Sequence, residues 1–199
     1  MMNQILPLVK ENRKASHDID PVFLNRWSPR SYKSDPIPEE VLYSVLEAAR
    51  WAPSANNEQP WRFVLARSQE DKERFYSFIA DANRVWCEKA PVLILAVAKT
   101  ISSRGTHNRA YAFDTGAACG FLSLEASRQG LITHVMGGFD REKASEVLGI
   151  PDGYEPQVVI AIGYQGDKEV LPEALQEREK PSTRRELSET VMEGVFAEK

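Results

Sequence analysis

Apolar residues recur every three or four positions along several stretches of the chain, which is the spacing of one helix face. The pattern is clearest between Pro38 and Pro53, because a proline and two glutamates precede it and a proline follows it. The same spacing predicts further helices over residues 5–14, 70–82, 111–129 and 141–148. Gly130 is the expected end of the longest helix. Pro21 either ends the first helical arm or begins the next element.

Shorter runs have the apolar, β-branched or aromatic composition of strands, and they span residues 61–66, 91–98, 131–136 and 157–163. The first two are expected to be central strands that are covered on both faces. Strands interleaved with helices predict an α/β or α+β fold around a central sheet, with the strand order left open. Residues 168–181 are charged and weakly periodic, so an extended surface arm is expected there.

Composition and charge narrow the class of protein. The 199 residues include 29 acidic and 25 basic side chains, so the net charge is −4, and no general attraction to nucleic acid or anionic lipid is expected. The longest apolar run, residues 90–98, has about half of the ~20 residues that a membrane span needs. We therefore expect a cytoplasmic protein with no nucleic-acid or membrane partner.

Cysteine and histidine offer little evidence for metal or thiol chemistry. Cys87 and Cys119 form no CxxC motif, so both are expected to serve as small buried apolar residues. His17, His107 and His134 lack the paired spacing of a metal site, and no metal is expected.

A basic segment, Arg26-Trp27-Ser28-Pro29-Arg30, lies just ahead of a predicted helix. Two guanidinium groups and a hydroxyl suit a phosphate, because arginine donates through a planar fork and stays charged at any working pH. A solvated basic turn is the simpler explanation if nothing else in the chain matches. A later basic pair, Arg184 and Arg185, means little on its own.

Two further segments could meet a ligand. The loop of residues 53–61 is bracketed by prolines and rich in amide and hydroxyl groups, which can pair with the polar edge of a flat heterocycle. Ordinary turn chemistry explains the same residues. Gly137 and Gly138 follow a predicted strand and let backbone N–H groups approach a ligand, although a tight turn alone also uses such a pair. Trp61 is expected to anchor the core.

In order and spacing, these segments resemble the nitroreductase family of FMN-dependent oxidoreductases. The resemblance covers residues 23 to about 191 and rests on the R-x-S-x-R motif of residues 26–30 and on the loop Ala52-Pro53-Ser54-Ala55-Asn56-Asn57-Glu58-Gln59-Pro60-Trp61. Supporting pieces are residues 114–118, the turn at residues 137–140 and the terminal Arg184-Arg185-x-Leu187. The chain departs from common members at Trp27, at Ala55 and between Thr100 and Tyr111.

The resemblance implies an α+β, nitroreductase-like fold with a central, mostly antiparallel sheet flanked by helices. It implies one domain over residues 1–199, with an N-terminal helical arm (1–20) and a C-terminal arm (167–199). It further implies an intertwined homodimer with two FMN molecules at the subunit interface, and NADH or NADPH as the reductant.

The resemblance also implies which residues hold the cofactor. The phosphate is assigned to the segment of Arg26, Trp27, Ser28 and Arg30 together with Arg184 and Arg185. The polar loop, supplied across the interface, borders the isoalloxazine through Pro53, Ser54, Ala55 and Asn57. The backbone N–H of Gly137 faces flavin N5, and the neighbouring contacts are Met136, Gly138 and Asn83.

The implied activity is ping-pong oxidoreduction, in which NAD(P)H passes hydride to flavin N5 and a nitroaromatic, quinone or similar electron-poor small molecule is reduced next. No catalytic side chain is expected, because the flavin carries the hydride. Tyr111 and Phe113 are candidates for the acceptor pocket, although aromatics at helical spacing are more often core. Arg62 is conceivable as a charge near flavin N1, although a surface role at a strand edge is the simpler explanation.

Two other functions stay open from the sequence. One is a specialised flavoenzyme of the same fold, dehalogenase-like or flavin-destructase-like. The other is a non-catalytic flavin-binding module.

Overall fold

The structure, a computed structural model, describes residues 4–197. Its helices are α1 (Pro7–Asn12), α2 (Pro21–Asn25), α3 (Glu39–Arg50), α4 (Gln69–Tyr76), α5 (Asp81–Cys87), α6 (Tyr111–Arg128), α7 (Arg141–Leu148), α8 (Glu173–Gln176) and α9 (Leu187–Thr190). Its strands are β1 (Trp61–Ala66), β2 (Val92–Lys99), β3 (Ile132–Met136) and β4 (Tyr154–Gly163). Short 3₁₀ turns lie at Ala55–Asn57 and Lys168–Val170.

The four strands form one sheet in the order β1-β2-β4-β3, and every neighbouring pair is antiparallel. The predicted α+β class is therefore confirmed. The expectation that 61–66 and 91–98 are both central strands is correct for β2 and wrong for β1, which lies at an edge. The two strands have similar composition, and composition does not record which partners a strand has.

Alternate residues of the central strands face two different cores, as the pleat of a strand requires. One core lies between the sheet and the pair α3 and α6, and includes Leu42, Val45, Ile94, Leu122 and Ile160. The other lies on the opposite face, against α4, α5 and α7, and includes Phe75, Trp86, Leu93, Leu95 and Val159. The result is a three-layer arrangement of helices, sheet and helices.

The predicted helix over residues 70–82 is two helices rather than one. Between α4 and α5 the chain pairs with the turn that follows β3: Ile79 forms an isolated bridge with Phe139, and Ala80 N donates to Gly138 O at 3.1 Å. Ala80 adopts an extended conformation there and precedes α5. A tertiary contact thus interrupts a locally helical pattern, and Phe78 and Ile79 are buried at the interruption.

The other predicted elements are confirmed with small shifts at their ends. Gly130, with φ of 79°, follows α6 in the left-handed conformation that glycine adopts without strain. Pro21 begins α2, which was one of the two alternatives, and Asp20 caps that helix by accepting from Val22 N. Trp61 is buried in the core as expected.

Both arms differ from their predicted form. In the N-terminal arm, α1 is shorter than the predicted helix over residues 5–14, and within it Val9 is buried whereas Leu8 is exposed. The C-terminal arm is not an extended surface segment, because it contains α8 and buries Leu171 and Glu179. The ends of the two arms, residues 1–3 and 198–199, lie outside the described residues. Among the helices of residues 4–197, none has the length and apolar character to cross a membrane.

Candidate cofactor-binding site

The basic segment ahead of α3 lines a cavity of about 300 Å³. Arg26 ends α2, and the chain then runs in non-helical conformation towards Tyr32. The cavity lining brings together positions from both arms, the basic segment and β3: Arg13, Arg26, Trp27, Ser28, Arg30, His134, Arg178, Lys180, Ser182 and Arg184. Within the described part of the chain, no carboxylate side chain lines this cavity, so it has the charge and hydrogen-bond donors of an anion site.

The predicted phosphate residues are divided between two neighbouring cavities. Arg26, Ser28, Arg30 and Arg184 meet at the first, together with Trp27. Arg185 instead lines a cavity between the two arms, next to Phe23 and Lys14. Arg184 lines both cavities, whereas Arg185 lines only the second. The first cavity, with its cluster of cationic side chains, is hereafter the cation cavity, and only one residue of the later basic pair reaches it.

Arg13 holds the basic segment from the N-terminal arm. Its Nη1 donates to the carbonyl oxygens of Leu24 at 2.7 Å and Arg26 at 2.9 Å, and its Nε donates to Ser182 O at 2.8 Å. Burial and the neighbouring Arg184 and Arg26 lower the pKa of Arg13 to about 10. The group stays charged at neutral pH and ties three segments together.

The cations of this cluster destabilise one another's charged form. Burial, and then the charge of Arg184, lower the pKa of Arg26. Burial and the charge of Arg178 likewise lower the pKa of Arg30, while Glu179 acts in the opposite direction. A bound anion would relieve this repulsion, because each cation would gain an opposite charge at short range. The residues present therefore fit a phosphate group.

His134 supports the segment from β3. Its Nδ1 lies 3.0 Å from Pro29 O, and because a carbonyl oxygen only accepts, Nδ1 carries the proton and donates. The imidazole ring packs against Trp86 with centroids 4.5 Å apart, and Trp86 in turn stacks on Tyr32. Burial, followed by the charge of Arg30, lowers the pKa of His134 to about 4 despite that hydrogen bond. His134 is therefore neutral in the folded protein above that pH.

This pKa shift predicts that acid destabilises the protein. Between pH 6.5 and about 4 the unfolded chain binds a proton at His134 that the folded chain does not, so the free energy of unfolding falls as pH falls. The expected loss at pH 5 relative to pH 8 is about 2 kcal/mol from this residue. Urea unfolding at both pH values should show this difference in the wild type and a smaller one in His134→Asn. Exposed His17, changed to Asn, is the matched control, and equal pH dependence in all three proteins would contradict the assignment.

The polar loop is exposed and conformationally strained. Asn56, Asn57 and Gln59 have φ of 51°, 56° and 45°, in the left-handed region that residues other than glycine rarely adopt. Ser54 Oγ accepts from Gln59 N at 3.0 Å. Strained backbone persists where surrounding contacts over-determine it, and such positions cluster at ligand sites.

Two contacts hold this loop in place. Asp114, buried at the start of α6, accepts from Ala55 N through Oδ2 at 3.1 Å. Glu58 accepts from the backbone N and the hydroxyl of Ser103 at 2.8 and 2.7 Å. The loop is thus fastened to α6 and to the segment of residues 100–110. That segment is one of the places where the chain differs from common members of the family that it resembles. The first of these contacts gives the buried carboxylate of Asp114 a hydrogen-bond partner.

The glycine turn follows β3 directly. Met136 is buried, Gly137 is exposed, and a Cβ added at Gly137 would meet nothing within 4 Å. Gly138 O accepts from Asn83 Nδ2 and Ala80 N, both at 3.1 Å. Asn83 therefore contacts the turn itself and fixes its position, which the sequence did not indicate.

The residues suggested for the acceptor pocket lie near the start of α6 and differ in exposure. Phe113 is 81% exposed, so it is not a core residue of this chain. Tyr111 donates from its hydroxyl to Glu155 Oε2 at 2.8 Å and packs edge-on against His107. Arg62 donates from Nη1 to Gln59 O and Trp61 O, which places it beside the polar loop.

Neither cysteine is activated. Both are free and buried, as predicted. Burial raises the pKa of Cys87 and of Cys119 to about 12, so neither thiol ionises at neutral pH. Over residues 4–197, no group of three or more His, Cys, Asp or Glu side chains is placed to hold a metal ion.

Sequence reasoning missed Arg13, His134, Arg178, Lys180 and Ser182 at the cation cavity. The basic residues of the stretch 178–184 are the one local signal for the last three, but charge in this part of the chain equally indicates an exposed arm. Arg13 and His134 carry no local signal, because their role depends on contacts with Arg26 and Pro29 from distant parts of the chain.

The fold and the site together define an α+β protein with a cavity lined by cationic side chains beside an edge strand and an open glycine turn at the end of that strand. The sequence model described as "Nitroreductase family" matches residues 24–85 and 79–164. The chain belongs to the nitroreductase family, as its resemblance implied.

Individual relatives agree with this assignment. A solved structure described as "the oxidoreductase containing FMN" has a TM-score of 0.90 and 41% sequence identity, covering 94% of this chain and 97% of that chain. A protein of Thermus thermophilus named "NADH dehydrogenase" is 29% identical over 178 residues, covering 73% of this chain and 85% of that protein. A protein of Haliscomenobacter hydrossis named "Iodotyrosine deiodinase" is 26% identical over 184 residues, covering 78% of this chain and 82% of that protein. The predicted fold class and the oxidoreductase class are confirmed.

Proposed function

We propose that this protein is an FMN-dependent NAD(P)H oxidoreductase that reduces nitroaromatics, quinones or similar electron-poor acceptors as a homodimer. One observation carries the proposal: the cation cavity and the open glycine turn lie along the same strand. His134 lines the cavity, and Gly137 comes three residues later, about 10 Å further at the rise of a strand. A phosphate at one end and a flat ring system at the other, joined by a ribityl chain, match this spacing.

The relatives support the same cofactors. The structure with 41% identity is described as containing FMN. A protein of Archaeoglobus fulgidus, 29% identical over 153 residues, bears the name "Putative NADH dehydrogenase/NAD(P)H nitroreductase". The chemistry that FMN supplies when bound is hydride transfer between NAD(P)H and an acceptor. The protein's own contribution is binding, orientation and exclusion of water.

Named residues have distinct proposed roles in this contribution. Arg26, Arg30 and Arg184 hold the phosphate with Ser28, because guanidinium groups and a hydroxyl donate several charge-assisted hydrogen bonds to it. The backbone N–H of Gly137 orients the ring at N5. Asn83 keeps the turn in position through Gly138 O.

The homodimer supplies the other side of the proposed site. Pro53, Ser54, Ala55 and Asn57 lie on an exposed loop that does not line the cation cavity of its own chain. On α6, Gly116 and Gly120 are exposed with no atom near an added Cβ, and Phe113 and Phe121 are exposed large apolar residues. A second copy packed on α6 would bury these aromatics and present its loop to the cofactor.

The visible spectrum of the purified protein tests the proposal. Oxidised-flavin bands that bleach on anaerobic addition of NADH or NADPH, and return on addition of a quinone, are the expected result. A colourless protein that fails to take up added FMN would refute the proposal. Flavin bands with no reduction by either nucleotide would favour the non-catalytic binding module.

A second candidate is reductive dehalogenation, and it is favoured by the relative named iodotyrosine deiodinase. Iodide release from an iodinated tyrosine, measured in the presence of reductant, tests it directly. Turnover with quinones but no iodide release from the iodinated tyrosine would favour the first proposal over dehalogenation. Flavin breakdown during turnover would instead indicate the flavin-destructase-like alternative.

Removing Asp114 is expected to lower turnover, because Ala55 N–H would lose its partner and the strained loop would lose its tie to α6. For Asp114→Ala we expect kcat with a quinone acceptor to fall about ten-fold, the effect of losing one hydrogen bond to a charged group. Asp114→Asn retains an acceptor and should keep most of the activity. Exposed Asp152, changed to Ala, is the control, and an unchanged kcat in Asp114→Ala would contradict the role of this contact.

A further inference from the structure

The chain leading into the C-terminal arm, and the arm itself, contact the basic segment and the residues that follow it at two separate places. The first contact lies just before the arm begins: Gly166 N donates to Ser31 O, and Lys33 N donates to Tyr164 O, both at 2.9 Å. The approach is close, because a Cβ at Gly166 would lie 2.9 Å from Ser31 Oγ and from the backbone of Tyr32. The arm then leaves this contact through α8 and returns at Glu179.

At the second contact, one carboxylate oxygen holds two backbone groups. Glu179 Oε1 accepts from Arg30 N at 2.8 Å and from Ser31 N at 2.9 Å. The side chain is 2% exposed, and Oε2 lies 4.0 Å from Arg30 Nη1 with no hydrogen-bond partner among residues 4–197. A buried carboxylate oxygen without a hydrogen-bond partner is costly, and the two hydrogen bonds accepted by Oε1 are the short contacts that offset this cost.

A negative charge at this place opposes the binding of an anion in the cavity beside it. Attraction of a phosphate therefore cannot explain why a carboxylate is buried here. The positions of its neighbours in sequence and of the backbone groups that it holds can explain it. The two residues that flank it in sequence, Arg178 and Lys180, both line the cavity. Arg178 lies near enough to Arg30 for its charge to lower the pKa of that guanidinium. Fixing Glu179 on the Arg30 backbone thus fixes three cations relative to one another.

We propose that Glu179 is a positioning residue for the phosphate end of the cofactor: through its hydrogen bonds to Arg30 N and Ser31 N it sets Arg30 against Arg178 and Lys180 around the cavity. The inference rests on the proposed function, because it assumes that the cavity receives the FMN phosphate. It adds Arg178 and Lys180 to the phosphate site beside Arg184, and it assigns to the buried Glu179 the role of positioning them.

Three substitutions separate hydrogen bonding from charge. Glu179→Ala removes both the hydrogen-bond acceptor and the charge. Glu179→Gln keeps an acceptor oxygen and removes the charge. Glu179→Asp keeps the charge, but its side chain is one methylene shorter, so the acceptor lies further from Arg30 N and Ser31 N. The control is Glu177→Gln, which removes one negative charge from an exposed position on the same segment. The affinities of full-length protein for FMN and for riboflavin are measured by titration of flavin fluorescence.

Positioning by hydrogen bonds predicts a pattern that charge alone does not give. Glu179→Ala should bind FMN about ten-fold more weakly or worse. Glu179→Asp should also weaken FMN binding, while Glu179→Gln and Glu177→Gln should stay within about three-fold of the wild type. Riboflavin, which lacks the phosphate, should bind all variants with nearly the wild-type affinity. If Glu179→Ala does not fold, the contrast between Asp and Gln at this position carries the test.

Several results would overturn the inference. Equal shifts in FMN affinity for Glu179→Ala and Glu179→Gln would show that charge alone matters. Equal losses for FMN and riboflavin would show general damage to the structure, and wild-type FMN binding by Glu179→Asp would show that the acceptor position is unimportant. If the wild type binds FMN tightly and Glu179→Ala binds it equally well, this inference alone fails. A wild type with no FMN affinity refutes the proposed function and this inference with it.

Discussion

Replacing Arg26 by alanine is expected to weaken FMN binding by about 10- to 150-fold, which corresponds to the loss of one charge-assisted hydrogen bond worth roughly 1.5–3 kcal/mol. Arg26 is the central candidate because it lines the cation cavity, and burial together with Arg184 already lowers its pKa. Its charged form gains more from a bound anion than an exposed arginine would. Equilibrium titration of the apoprotein with FMN measures the change.

Two further arginines serve as comparisons for this experiment. Arg67→Ala removes an exposed arginine just beyond β1 and should leave FMN affinity within about two-fold of the wild type. Arg185→Ala removes an arginine from the neighbouring cavity and should have a smaller effect than Arg26→Ala. Undiminished FMN affinity in Arg26→Ala would remove this residue from the phosphate site. An effect of Arg185→Ala as large as that of Arg26→Ala would show that both cavities serve the cofactor.

The largest expected effect on stability is that of Trp86→Ala, at roughly 3–5 kcal/mol in the free energy of unfolding. Trp86 is 2% exposed and lies between Tyr32, with ring centroids 6.3 Å apart, and His134, with centroids 4.5 Å apart. Its removal leaves a cavity directly beneath His134, whose Nδ1 donates to Pro29 O. We therefore expect weaker FMN binding as well as a lower unfolding free energy.

Urea unfolding at fixed protein and flavin concentration measures the stability of this variant. Trp51→Ala is the matched control, because Trp51 is 69% exposed and surface changes usually alter the unfolding free energy by no more than about 0.5 kcal/mol. A loss below about 1 kcal/mol in Trp86→Ala would contradict the role of Trp86 as the support of this site.

The sequence was most informative where structure follows from neighbouring residues. Helix α3 and strand β1 were both predicted with nearly correct ends, because a proline with acidic residues starts the helix, and an apolar and aromatic run forms the strand. Spacing within short motifs also identified Arg26, Ser28 and Arg30 as candidates for one anion site, and they do line one cavity.

Predictions failed where contacts with distant residues decide the conformation. The pattern of residues 70–82 is helical throughout, yet pairing of Ile79 with Phe139 divides it into two helices. The charge of residues 168–181 suggested a solvated arm, yet Leu171 packs into the core and Glu179 is buried against Arg30. Local composition cannot record a partner that lies 60 or more residues away along the chain.

By itself, the sequence determined most helices and strands, the family through its short motifs, the α+β class that the family resemblance implies, and Arg26, Ser28 and Arg30 as candidates for an anion site. Only the tertiary structure decided the strand order, the edge position of β1 and the assembly of the cavity from Arg13, His134 and Arg178. The physical reason is that strand pairing and the docking of the two arms bring these side chains together. The free energy of those contacts comes from the whole folded chain rather than from any one segment.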